Sequence, residues 1–253
     1  MKKTLIILAI LALAATAGAD TYIRQATHQD GFEMQGQTMQ PEDDTAITWI
    51  GKDMARTETK QGTIIWRSDK DMVYIVDDAK KAYTEMPISK IGDLKAMMGM
   101  DEMSEEEAKM MEQQMAPMMA MMQVSATVTP TEETQKIGDF NCKKYDVDFK
   151  VGMMNMKSDF WVTKDFEMDY SVFKKLSLSQ MLFMPGSDQA IKEFEKMEGF
   201  VVMSDGEVNM MGATIKNTNK VLEVTEKDAP AGIYDVPEGY KKEKFSPMMG
   251  GKH

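Results

Sequence analysis

Residues 45–86 read TAITWIGKDMARTETKQGTIIWRSDKDMVYIVDDAKKAYTEM. Short β-branched and aromatic runs (TAITWI, MARTETK, TIIWR, MVYIV, AYTEM) are separated by GKD, QG, SDKD and DDAKK. Connections this short cannot hold a crossover helix, so successive strands must be antiparallel hairpins. Gly51, Gly62 and the polar cluster Ser68 to Asp71 supply turn chemistry. The same character extends upstream through TYIRQAT to the QDG turn, so the β-rich block covers Thr21 to Met86.

Downstream the composition changes. Residues 96–123, AMMGMDEMSEEEAKMMEQQMAPMMAMMQ, are helix formers with an unusual methionine load. Ser104-Glu105-Glu106-Glu107 is a capping-box signature that places a helix start at Ser104, with acids in the first turn to suit the helix dipole. Gly99 separates this helix from a shorter one expected over about 88–98, and Pro117 is expected to kink or restart it. After Val124 the β pattern returns. Tyr145, Val147, Phe149 and Val151 alternate with Lys144, Asp146, Asp148 and Lys150, giving a strand with one buried and one wet face. Met156 to Thr163 is its expected hairpin partner. Residues 169–183 and 187–197 read as helices split by Pro185-Gly186, with Ser187 as N-cap. Asp205-Gly206 predicts a hairpin turn between strands 200–204 and 208–216, and Val221 to Thr225 is the last clear strand.

The first residues, MKKTLIILAILALAATAGAD, have the form of a secretory signal. Lys2 and Lys3 form the basic region, Leu5 to Ala15 the apolar region, and Ala17-Gly18-Ala19 the small-x-small cleavage pattern. Cleavage between Ala19 and Asp20 would deliver a periplasmic or secreted chain, with no integral membrane segment remaining. The organisation expected is a signal peptide over 1–19 and one β-rich domain over 20–245. Helical insertions interrupt that domain at about 88–123 and 169–197, and residues 246–253 form a disordered tail. The formal charge is −11, and losing Lys2 and Lys3 makes the chain more acidic still. That balance argues against nucleic-acid binding and against docking on anionic lipid.

A large antiparallel sheet with one apolar face needs a cover. The fold expected is α+β: a strongly curved antiparallel sheet, an unclosed half-barrel, with helices over its concave face. The blocks WIGKDMARTET (49–59), YIVDDAKKAYTEMP (74–87), IGDFNCKKYDVDF (137–149), FWVTKD (160–165) and IYDVPEGYKK (233–242) carry a resemblance. In that order they resemble a family of secreted bacterial proteins known only as a domain of unknown function. That family is similar in architecture to the periplasmic lipoprotein carriers LolA and LolB, which are unclosed antiparallel barrels that hold acyl chains. The resemblance implies that fold and a hydrophobic cavity, and it implies no catalytic residues.

Three readings of the methionine helix compete. Met111, Met115, Met118 and Met122 form one stripe, which suits packing on the sheet. The same stripe, with Trp49 and Trp66 on the strands, would make a surface for a lipid-like ligand or an apolar protein segment. Alternatively Met118, Met119, Met121 and Met122 would capture Cu(I) or Ag(I), because thioethers are soft ligands. Met97-Met98-x-Met100 and Met153-Met154-x-Met156 have comparable spacings. Non-catalytic binding of a hydrophobic ligand is the function expected. A Met-rich soft-metal protein and a structural envelope protein without a small ligand are the alternatives.

With His28 and His253 the only histidines and Cys142 the only cysteine, neither a zinc site nor a Ser-His-Asp triad is indicated, and no cofactor is expected. Asp43-Asp44, Asp77-Asp78 and Glu105 to Glu107 read as turn, turn and helix cap rather than as an acid–base pair. Strand parity puts Cys142 with Lys144 and Asp146 on the wet face. It is then either turned inward by a local bulge, or exposed and open to a disulfide-linked dimer.

Overall fold

The computed structural model describes residues 19–34, 36–91, 104–121, 123–166, 186–210 and 212–243. The leader before Ala19, most of the expected 88–98 helix, Gly99, the 169–183 helix and the tail 246–253 lie outside these residues.

The first block folds as β1 (Asp20–Gln29), a small separate hairpin of β2 (Phe32–Met34) and β3 (Gln37–Met39), then β4 (Glu42–Ile50), β5 (Met54–Thr59), β6 (Gly62–Arg67), β7 (Met72–Asp77) and β8 (Ala82–Pro87). Helix α1 (Glu105–Met121) follows. The second block is β9 (Val124–Ile137), β10 (Phe140–Val151), β11 (Met154–Thr163), helix α2 (Ser187–Phe194), β12 (Phe200–Met210) and β13 (Ala213–Lys227), with a two-residue β14 (Lys241–Lys242) at the end. Twelve of these strands form one sheet in the order β14-β8-β7-β6-β5-β4-β1-β13-β12-β11-β10-β9. Its two ends are not paired to each other, so the sheet is unclosed. Every pairing in it is antiparallel except β14 on β8.

Two meanders, β4 to β8 and β9 to β13, therefore flank β1, which bonds to β4 on one side and β13 on the other. In the first meander the register row Ile50–Ala55–Trp66–Val73–Met86 lies on one face. The neighbouring row Trp49–Arg56–Ile65–Tyr74–Glu85 lies on the other. Ile50, Ala55, Trp66 and Val73 of the first row join a buried cluster with Ile23, Val221, Phe200, Val202, Cys142 and Ile137, which unites the two meanders in one core. The second row is covered by the chain after β13. There Tyr234 is buried with Trp49, Ile65 and Val76, flanked by Ala229, Ile233 and Tyr240.

Polar contacts fasten this closing strap along its length. The Ala229 amide donates to Asp20 (3.3 Å). Arg56 Nη1 donates to the Ile233 carbonyl (3.3 Å), and the Tyr240 hydroxyl to Asp78 (2.8 Å). Arg67, 9 % exposed, is the centre of it. Its Nε and Nη2 clasp Asp69 (2.8 and 2.7 Å), while Nη1 reaches Asp235 (2.6 Å) and the Tyr234 carbonyl (3.2 Å).

The capping box at α1 forms as the sequence requires: the Glu107 amide donates to Ser104 Oγ (3.4 Å) and the Ser104 amide to Glu107 Oε2 (3.0 Å). Several expectations are corrected. Helix α1 runs through Pro117 without a restart. Residues Ile88–Lys90 form a 3-10 turn, because Asp71 takes hydrogen bonds from the Ser89 amide (2.9 Å) and hydroxyl (2.6 Å). Helix α2 begins at Ser187 with Gly186 as its N-cap, and Ser187 is itself buried. Asp43 and Asp44 sit within β4, not in a turn.

The largest correction concerns Asp205-Gly206. No hairpin turn forms there; β12 runs straight through, and the reversal comes at Gly212, whose φ is +85°. Gly206 serves a different need. A Cβ there would stand 2.6 Å from Ser158 Oγ and 2.8 Å from Ser158 Cβ, so the glycine permits close approach of β11.

Candidate functional site

Around the β11–β12 pair, opposite faces of the same strands differ in chemistry. On one face lie the register rows Lys216–Glu207–Lys157–Asp148 and, beside it, Asp43–His28–Thr218–Asp205–Asp159–Asp146, continued on β9 by Thr127 and Thr129. A cleft of about 400 Å³ opens on these charged rows, lined by Lys157, Asp159, Asp205, Glu207, Lys216 and Thr218 among others. The Thr218 hydroxyl donates to Asp205 (2.8 Å). His28 lies between Asp43 (Nδ1, 2.7 Å) and Asp30 (Nε2, 3.0 Å), and the bond to Asp43 is the main reason its pKa is raised. Lys144 lies on the same face, 2.9 Å from Asp159 and 3.5 Å from both Asp146 and Glu133. Every carboxylate of these rows with a bond is engaged by a partner of ordinary surface type. Among the described residues no group of three or more His, Cys, Asp or Glu is arranged to hold a metal ion.

The other face is apolar. One register row is Ala126–Phe149–Met156–Val208–Ile215. The next is Val124–Val151–Met154, continued by Met210–Ala213, with Met154 and Met210 one step beyond the Asn155–Asn209 pair. Together these rows make a strip two residues wide across five strands, without a titratable side chain. Helix α2 covers its β9–β10 end: Ala190 is fully buried against Val124 and Ala126, and Phe194 packs on Phe149 at 5.9 Å between ring centroids. The helix sits close because Gly186 approaches β9. A Cβ there would be 2.3 Å from the Val124 carbonyl oxygen. Glu193 of the helix then accepts the Val128 amide (2.9 Å); its carboxyl is held below the usual range by Lys196 first and by that amide second.

At the β11–β13 end the strip is more open. Met154 is 39 % exposed, and Met156, Val208, Met210 and Ala213 are half-buried. Met153, in the β10–β11 turn, is 74 % exposed. The strip gives way on its inner side to Ser158, Gly206 and Asn217, where the Ser158 hydroxyl donates to the Asp205 carbonyl (2.9 Å).

The residues singled out from sequence are distributed differently. Trp66 (2 % exposed) belongs to the core shared by the meanders, whereas Trp49 (8 %) packs under the strap on the opposite face. The two indoles are not brought together. Met111 is half-buried and Met110 is 59 % exposed on α1. The side chains of Met115, Met118, Met119 and Met121, and all of Met122, lie outside the described residues. Ala19 is exposed immediately before β1, and Asp20 is the first residue of that strand.

Cys142 is 3 % exposed, and burial pushes its thiol pKa up. The β9–β10 register shifts between Lys143 and Tyr145, and the β11–β12 register between Trp161 and Val162, so strict alternation breaks beside Cys142. The thiol is buried in the core cluster with Phe200, against which Phe140 and Trp161 pack. A thiol so placed is not presented for a disulfide with a second chain. Beside it a cleft of about 630 Å³ is lined mainly by polar groups, including Gln135, Lys143, Lys164 and Asp165. Among the described residues no helix is long and apolar enough to cross a membrane.

No contiguous stretch of sequence marks the strip. Its signal was the period-two sets Phe149, Val151 and Met154, Met156 and Val208, Met210, split between two hairpins whose register the sequence did not reveal. No protein-family model matches this chain, and no curated protein matches it in sequence.

Proposed function

We propose that the protein is a non-catalytic binder of a hydrophobic ligand, lipid-like or an apolar protein segment, acting in the periplasm or outside the cell after cleavage between Ala19 and Asp20. The observation that carries this reading is the apolar strip that α2 only partly covers, with Met154 39 % exposed at its open end. Burial of apolar surface against it would supply about 25 cal/mol per Å². Half-buried methionines repack around varied shapes at little strain. The strip offers no nucleophile, acid or base, which favours holding a ligand over transforming one. The unclosed antiparallel sheet is compatible with a curved half-barrel like that of LolA and LolB, and the sequence blocks quoted above support that comparison. On this reading α1 and Met111 serve as a further apolar cover.

The test is native mass spectrometry with lipid extraction, joined to uptake of a fluorescent fatty acid. Uptake is expected, and Met154→Asp should weaken it about tenfold or more, because a carboxylate desolvated in the strip is unpaired. Absence of a co-purifying ligand together with no uptake, or uptake indifferent to Met154→Asp, would overturn the reading.

A further inference from the structure

Three methionines share one face at the open end of the strip. Met154 and Met156 are two apart on β11 and so project to the same face. Met210 on β12 stands beside Met154, one step beyond the Asn155–Asn209 pair. Same-face neighbours along a strand are about 7 Å apart and opposite neighbours about 5 Å, so the three side chains rise from the corners of a small triangle. Methionine is long, unbranched and adaptable enough for three sulfurs to converge above such a base. Met153, 74 % exposed at the adjoining turn, can supply a fourth.

The surroundings select the kind of ion. Phe149, Val151, Val208, Ala213 and Ile215 on this face offer neither oxygen nor nitrogen from a side chain, and the hydroxyl of Ser158, the next residue inward from Met156, donates to the Asp205 carbonyl. A hard cation such as calcium or magnesium finds no ligand there. Thioethers suit soft cations and need no deprotonation, so binding would persist across a wide pH range. The formal charge of −11 favours approach of a cation.

We propose that Met154, Met156 and Met210 form a thioether site for a soft monovalent cation, Cu(I) by its chemistry, with Met153 as an additional ligand. This site goes beyond the apolar-ligand reading and does not depend on it, although the two share a surface.

Ag(I), a redox-inert mimic, is the probe. The mature chain is titrated with Ag(I) while the methionine ε-methyl resonances are followed. The first equivalent is expected to shift those of Met154, Met156 and Met210. Replacing all three by Leu removes the sulfurs while keeping volume and apolarity. That variant should lose Ag(I) affinity by about tenfold or more. The variant Met110→Leu/Met111→Leu should bind Ag(I) as the unmutated chain does. Affinity unchanged in the triple variant, or a first equivalent that moves only methionines elsewhere, would overturn the site. If the triple variant fails to fold, the resonances of the unmutated chain decide alone. Failed fatty-acid uptake by the unmutated chain would instead remove the apolar-ligand reading and leave the cation site standing.

Discussion

Replacing Arg67 by Ala should release the closing strap from the sheet. The guanidinium makes four hydrogen bonds, two to Asp69, one to Asp235 and one to the Tyr234 carbonyl, with a side chain only 11 % exposed. Hydrogen bonds to charged groups are worth about 1.5–3 kcal/mol each. The carboxylates must be discounted, because the Asp69 and Asp235 side chains are 34 % and 59 % exposed and can turn to water. The buried Tyr234 carbonyl cannot, and leaving it unpaired costs about 1–3 kcal/mol. Loss of the packed stem adds to this. The expected destabilisation is about 2–4 kcal/mol, read as a fall of about 1 M or more in the urea midpoint. Limited proteolysis should cut first within 228–243. Arg67→Lys keeps the charge but not the planar fork, so it should recover less than half of the loss. A midpoint shift below about 0.3 M, with the strap as resistant as before, would refute the clasp.

Other outcomes follow from the same geometry. His28 has a folded pKa raised chiefly by its bond to Asp43, so its stabilising effect is complete below the unfolded value near 6.5 and lost as pH rises through the folded pKa. Midpoints measured across that window should decline, and His28→Gln should flatten the decline. Gly206→Ala should cost about 1–3 kcal/mol by overpacking against Ser158. Ser158→Gly in the same chain should restore part of it; equal losses in single and double variants would count against the contact. Cys142 should resist maleimide until the chain is unfolded, and non-reducing electrophoresis should show monomer; rapid labelling of native protein would contradict its burial.

The hairpins of the first block were legible because each turn is marked by Gly or a polar cluster and each strand by β-branched residues. The cap at Ser104 was legible for a similar reason: its partners are three residues apart and the bonding is local. Long-range pairing was not. Asp205-Gly206 has the composition of a turn, yet the glycine answers to Ser158 on the neighbouring strand β11, which no local pattern reveals. The strip failed to show for the same reason, since it exists only once β10, β11 and β12 are in register. For Cys142 strand parity alone pointed to the wet face, and only a local bulge could turn it inward; the register shift between Lys143 and Tyr145, set by pairing with β9, accompanies its burial in the core.

The position of β1 has a consequence for assembly. Among the described strands β1, the first in sequence, lies in the middle of the sheet, and one of its two neighbours, β13, comes near the end. During synthesis β1 can zip onto β4 early, but its other edge stays unsatisfied until residues 213–227 have emerged. The half-built sheet is thus an acceptor awaiting a strand, with the register of β1 already set by β4. A chain shortened to begin after Gln29 would present the reciprocal gap, two meanders with an empty groove between them. A free peptide of sequence DTYIRQATHQ is the donor that such a groove is built to take.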